Sequence, residues 1–193
     1  MKLNEELWAN HQYQVLVSFI HHLAYYRTLK QYYDVSPIES EFWVRTIDTH
    51  LLRSVIDWCM VFGADSSEVH WKNVVVGEKA RSSFRSRLLA VTGMAEGQWR
   101  DYWSDMTTFR NNFAAQKTVA TNYPSVPIMD MALLVATAYD DWLRSSIDAI
   151  FDEPSLRARY DRLVRVSGHS FLKLISSGPT VEEEYEGNPP SKT

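Results

Sequence analysis

What is scarce in this chain removes several architectures before any element is placed. Among 193 residues there is one cysteine, Cys59, so no disulfide can close within the chain and no cysteine-rich zinc cluster can form. Cys59 stands in the apolar run Trp58-Cys59-Met60-Val61-Phe62, where a thiol behaves as a small buried hydrophobe, and the lack of bridges fits a reducing cytoplasm. Seven glycines and seven prolines are too few for a chain dominated by turns or linkers. No apolar stretch approaches the roughly 18 residues of a membrane span, and Lys2, Glu5, Glu6 and His11 occupy positions where a signal peptide needs an apolar core. A soluble, unexported protein with no membrane partner is expected. A basic surplus is also missing: the formal net charge is −4, which gives no support to a globally basic nucleic-acid binder but leaves local patches open.

What the chain does have is aromatic mass and helical periodicity. Seven Trp, ten Tyr and eight Phe are spread over a length that suits one domain with a substantial core. Trp8, Val15, Phe19, Leu23 and Tyr26 predict a long helix over residues 4 to 33, carrying His21 and His22 at its surface or rim. Ser36, Pro37 and Glu39 make a capping-box start for a second helix with the stripe Val44, Ile47, Leu51, Val55, Trp58 and Phe62, stopped by Gly63. On its other face His50 accompanies an Arg53–Asp57 ion pair, and a solvated face explains all three. Residues 64 to 77 break the helical pattern and are expected as an ordered loop. There Val74, Val75 and Val76 lack an obvious partner strand, and His70-Trp71 anchors the loop on the core or shares in a ligand site.

A shorter helix from Glu78 to Val91 carries Arg81, Arg85 and Arg87, and Thr92-Gly93 ends it. Next comes the stretch from Trp99 to Gln116, expected as one helix, in which Trp99, Trp103, Met106 and Phe113 fall in one sector at about 100° per residue. After a loop over residues 117 to 127, Ile128 to Phe151 reads as a central helix, apolar nearly all round. Pro154 starts a last helix with Leu156, Tyr160, Leu163, Phe171 and Leu174 as its stripe and Arg157, Arg162 and Arg165 elsewhere on its surface. From residue 178 the acidic, proline-containing tail is expected to be disordered. The fold class expected is all-α, an up-and-down bundle of about five or six helices over residues 1 to 177.

Arg110 points into the middle of the aromatic sector. A guanidinium keeps its charge and is costly to bury alone, so it must meet a carboxylate, a phosphate, a polar cleft or solvent. No phosphate loop, nucleophile elbow or H-E-x-x-H motif competes with it, and no cofactor or metal is implied.

The stretch Phe109-Arg110-Asn111-Asn112-Phe113-Ala114-Ala115-Gln116 resembles the hallmark of the HEPN superfamily, an arginine followed four to six residues later by histidine, with Asn after the arginine. The spacing matches while the terminal histidine is Gln116. Trp58 to Gly63 followed by His70-Trp71, the Gln98 to Trp103 entry into the motif and the Val126-Pro127 start of the next helix are similar to an abortive-infection-type branch of that superfamily. The resemblance implies a HEPN-like bundle that commonly dimerises, with motifs of two subunits facing one cleft. Active members are metal-independent endoribonucleases, in which histidine handles the proton of the 2′-hydroxyl and arginine steadies the phosphate. Gln116 has no accessible pKa and cannot be the general base. Regular helix also separates Arg110 from Gln116 by about 240° and about 9 Å, so a break in the helix or a second chain must complete their site.

Three readings follow. In the first, a protein of bacterial phage-defence or toxin–antitoxin type binds RNA or a nucleotide through Arg110 and Asn111, helped by Arg81 and Arg85, as a homodimer or beside a partner protein, with ribonuclease activity impaired or absent. In the second, His70 substitutes for the missing histidine in an active ribonuclease. In the third, a helical protein-interaction module pairs Arg110 with an internal acid such as Asp140 or Asp141.

Overall fold

A computed structural model describes residues 2–35, 40–64, 66–115, 125–146 and 151–177. The chain is all-α, as the periodicities predict, apart from a two-residue antiparallel ladder. In order it runs β1 (Lys2–Leu3), α1 (Glu5–Leu7), a π-helical segment (Trp8–Gln12), α2 (Tyr13–Tyr33), α3 (Glu41–Phe62), α4 (Trp71–Val74), β2 (Val75–Val76), α5 (Glu78–Thr92), α6 (Glu96–Phe109), a second π-helical segment (Arg110–Ala115), α7 (Met129–Arg144) and α8 (Leu156–Ser177). Among the described residues no helix is long and apolar enough to cross a membrane. Nor does any group of three or more His, Cys, Asp or Glu stand close enough to hold a metal ion.

Helix α2 packs against both α3 and α8, and α5 packs against α7. The apolar character of α7 has the expected consequence: Ala132, Val135, Ala136, Tyr139 and Leu143 are all buried, and Tyr139 meets Phe62 at 5.4 Å and Phe84 at 4.9 Å between ring centroids. Burying aromatic rings edge to face stabilises by about 0.5–1.5 kcal/mol per pair beyond the area term. This cluster joins α3, α5 and α7 into one core. Its polar atoms are matched rather than absent, since Tyr139 donates its hydroxyl to Gln12 Oε1 at 2.9 Å and Gln12 Nε2 donates to Val69 O at 2.8 Å.

Several expectations need correction. The valine run does have a partner: β2 pairs with β1, matching Val75 to Leu3 and Val76 to Lys2, so the beginning of the chain closes the supposed loop. Within that loop Trp71–Val74 is a short helix. Helix α3 begins at Glu41 after an extended Ser40, and the Ser36-Pro37-Glu39 capping box lies outside the described residues. Asp57 is not on a solvated face; it is fully buried, accepting from Ser18 Oγ at 2.6 Å and facing Arg53 Nε at 3.0 Å. His22 and His50 meet across α2 and α3, Nδ1 to Nδ1 at 2.8 Å. Gly63 does end α3, but at φ −84°, without the left-handed turn. A Cβ there would lie 2.4 Å from the Cys59 carbonyl oxygen, so close approach is what requires glycine. The tail from residue 178 lies outside the described residues.

Candidate functional site

Two places on α6 carry the chemistry that the sequence points to, and they sit at its two ends. The helix runs antiparallel to α3. Trp103 donates its indole N–H to Phe62 O at 2.8 Å, and three residues further along α6 the Met106 carbonyl receives the Cys59 thiol at 3.7 Å, three residues back along α3. The buried stripe is Tyr102, Met106 and Phe109. Trp99 is only partly buried and Trp103 is 36% exposed, so of Trp99, Trp103 and Met106 only Met106 belongs to the true core face. Aromatic residues flank both faces, and the packing of α3, not the local pattern, selects between them.

At the C-terminal end the regular ladder gives way. The Arg110 N–H is shared between the Met106 and Thr107 carbonyls, and from Arg110 to Ala115 the chain is π-helical. The expected single helix from 99 to 116 is therefore two segments. Arg110 is partly buried, and its Nε is buried with no hydrogen-bond partner among the described residues. Its charge reaches the Cys59 thiol, opposing the burial that pushes that thiol up to about 12. Asn111 beside it is exposed. Gln116 lies outside the described residues.

The internal acid suggested for Arg110 is taken elsewhere. Asp140 is fully buried, pairs with Arg144 Nε at 2.9 Å and accepts the Leu156 N–H at 2.9 Å. Among the described residues no carboxylate pairs with Arg110.

At the other end, α6 and α5 each present residues spaced i, i+3, i+4, i+7 to one cleft of about 440 Å³. Glu96, Trp99, Arg100 and Trp103 come from α6, and Ser82, Arg85, Ser86 and Leu89 from α5. His70, Trp71 and Lys72, with Phe62 and Gly63, also line it. Gly93, in the αL conformation at φ 66°, ends α5 three residues before α6 begins.

The structure brings His70 and Arg85 together here and does not bring Arg110 to them within one chain, because Arg110 lies about 10 Å of helix rise beyond Trp103. His70 is 2% exposed and caps α4, its Nδ1 accepting the Lys72 N–H at 3.3 Å. That bond uses the Nδ1 lone pair for the cap.

Arg81 is likewise committed inside the fold. It donates from Nη2 to Lys72 O at 2.7 Å and from Nε to Val75 O at 3.0 Å, fastening the α4–β2 turn to α5. Arg85 stays at the surface, bonded to Glu78 at 2.6 Å with its guanidinium 5.8 Å from the centre of the Trp71 ring. Sequence reasoning passed over Lys72 and Arg100, although the shared i, i+3, i+4, i+7 spacing on two consecutive helices was a signal that could have found Arg100. Comparison of the chain with protein-family models, with curated proteins and with solved structures gave no match to any of them.

Proposed function

We propose that this chain is a HEPN-like helical protein of bacterial phage-defence or toxin–antitoxin type that binds RNA or a nucleotide phosphate at Arg110 and Asn111, with ribonuclease chemistry impaired or absent. The observation that carries the reading is Arg110 Nε, buried without a partner among the described residues where α6 passes into a π-helix. An arginine left unpaired in that way is held for an anion from outside, and its planar fork complements a phosphate. The proton-transfer half has no support beside it, since the motif position holds Gln116 and His70 caps a helix at the far end of α6. Two copies of the chain would set two Arg110 sites against one strand of RNA, as in the homodimers that the sequence resemblance implies.

Filter retention of a single-stranded RNA over a salt series tests the reading. Retention should weaken steeply with salt and fall at least tenfold in Arg110→Ala, with Arg110→Lys between the two. The circular dichroism of both variants establishes that they fold. Absence of retention by the wild-type protein at low salt refutes binding. Chelator-resistant cleavage of the RNA refutes the loss of catalysis.

A further inference from the structure

The cleft between α5 and α6 is a second, independent feature. The geometry points to it as a site for a mononucleotide, its base lying on the Trp99 and Trp103 side and its phosphate held by Arg100, Arg85 and Lys72. This goes beyond the Arg110 reading, because none of these residues belongs to that motif and Arg110 does not line the cleft.

Three observations converge on this ligand. The first is size and shape: about 440 Å³ falls within the range of small-molecule sites, which are mostly apolar with a few placed polar groups. The second is the aromatic wall. Trp103 is 36% exposed although its indole N–H is tied to Phe62 O, so the ring is fixed in place while much of its surface remains open. Trp99 beside it is backed by Trp58 at 6.4 Å and Tyr102 at 5.9 Å. A pre-fixed indole loses little entropy when a base stacks on it, and stacking tolerates any base because each has a π-face.

The third is charge. Arg100, Arg85 and Lys72 bring three cations to the lining against one carboxylate, Glu96, in a chain whose net charge is −4. The concentration of cations here runs against the composition of the whole. Among the described residues no carboxylate pairs with Arg100, and Arg85 is held by Glu78 where it can exchange that partner for a phosphate. Ser82 and Ser86, exposed on the adjacent turn of α5, add hydroxyl donors along the same wall. An aromatic platform beside clustered guanidinium groups selects a planar anion over a plain one, and a nucleotide supplies both halves.

Titration of the full-length protein with AMP, UMP, inorganic phosphate and a short polyglutamate, followed by quenching of tryptophan fluorescence, tests the assignment. A nucleoside monophosphate should quench saturably and bind at least tenfold tighter than phosphate. Arg100→Glu and Arg85→Ala are both at exposed positions and should fold, and each should weaken AMP about tenfold. Trp103→Phe should weaken it less than Trp103→Ala. No saturable binding of AMP or UMP at millimolar concentration overturns the proposal. Phosphate or polyglutamate binding as tightly as AMP overturns it as well. Loss of AMP binding in Arg110→Ala, with Arg85→Ala and Arg100→Glu unaffected, overturns the cleft assignment and leaves the Arg110 reading standing. The converse pattern in RNA retention would remove Arg110 and leave the cleft.

Discussion

Replacing Arg144 by methionine should cost this protein a large part of its stability, and the cost should depend on pH. Arg144 is 19% exposed and fastens the end of α7 to the segment before α8: Nε pairs with Asp140 Oδ2 at 2.9 Å, Nη1 donates to Glu153 O at 2.6 Å and Nη2 to Pro154 O at 3.0 Å. Its guanidinium also lies 4.9 Å from the Phe151 ring centre and 5.5 Å from that of Tyr13. Methionine keeps the stem and the apolar contacts but leaves Asp140 buried, with Oδ1 unpartnered and Oδ2 held by the Leu156 N–H alone. Breaking a buried pair from one side costs about 3–5 kcal/mol. For a chain of this size that lowers Tm by roughly 6–20 °C.

The pH dependence follows from Asp140. Burial already raises its pKa above the usual carboxylate value, against the opposing pull of Arg144 and the Leu156 N–H, and removing the cation raises it further. A carboxyl raised in the folded state favours folding only below its unfolded value of about 3.9, and the penalty grows as pH rises through that value toward the folded pKa. The deficit of Arg144→Met should therefore be smallest near pH 4 and complete by neutrality. Adding Asp140→Asn should flatten the dependence. Urea unfolding followed by tryptophan fluorescence at both pH values measures this. A neutral-pH deficit under about 1 kcal/mol, or one that does not change with pH, refutes the argument.

The His22–His50 contact gives a second pH dependence. Burial lowers both pKa values, with His50 further lowered by the charge of His22, while at His22 Asp57 pulls upward against Arg53 and His21. Stability should be complete above about pH 6.5 and fall on acidification below it, by at most about 1.4 kcal/mol per pH unit for each ring, and His50→Gln should reduce that slope. A urea midpoint constant from pH 7.5 to 5, with the two-state slope unchanged, would contradict this. Gly63→Ala should destabilise by about 1–3 kcal/mol, because its Cβ would meet the Cys59 carbonyl at 2.4 Å, and should weaken nucleotide binding by shifting the Phe62 carbonyl that fixes Trp103. Cys59, its thiol pushed up to about 12, should resist a disulfide reagent at mildly alkaline pH until the protein is unfolded; rapid labelling of the native protein would show the thiol open to solvent.

The parts of this fold legible from the sequence are those decided within a few helical turns. Helix α5 starts and stops within a residue of its expected bounds because Gly93 adopts φ 66° where the pattern ends. Helix α7 was recognisable as central because apolar residues occupy nearly its whole circumference. What escaped depends on partners far away in the chain. The strand that pairs with Val75 and Val76 is Lys2–Leu3, and no local pattern announces a ladder across seventy residues. Asp57 looks like a surface carboxylate in an i,i+4 pair until Ser18, on another helix, supplies the hydroxyl that allows its burial. His70-Trp71 reads as an anchor of the loop or part of a ligand site, but that the His70 ring accepts the Lys72 N–H and caps a four-residue helix depends on a helix that no local pattern announces. The site on α6 was half legible: Arg110 follows from a charge in an aromatic sector, but the phase of that sector is decided by the Phe62–Trp103 and Cys59–Met106 contacts.

That phase shift connects the two ends of α6. Since the core face is Tyr102, Met106 and Phe109, the sector of Trp99 and Trp103 borders the cleft, and seven residues of α-helix return Arg110 to nearly the same direction, about 20° away from Trp103. One side of the helix therefore carries indoles, then a guanidinium, separated by about 10 Å of rise. A mononucleotide in the cleft cannot span that interval, but an oligonucleotide with its terminal base on Trp103 can place a later phosphate at Arg110. Linking two weak contacts in one ligand raises affinity through effective concentration, provided the linker reaches. Short RNAs of increasing length should then show a step in affinity once they reach Arg110, and Arg110→Ala should erase the step. A smooth rise with length in both proteins would mean that the two sites take separate ligands.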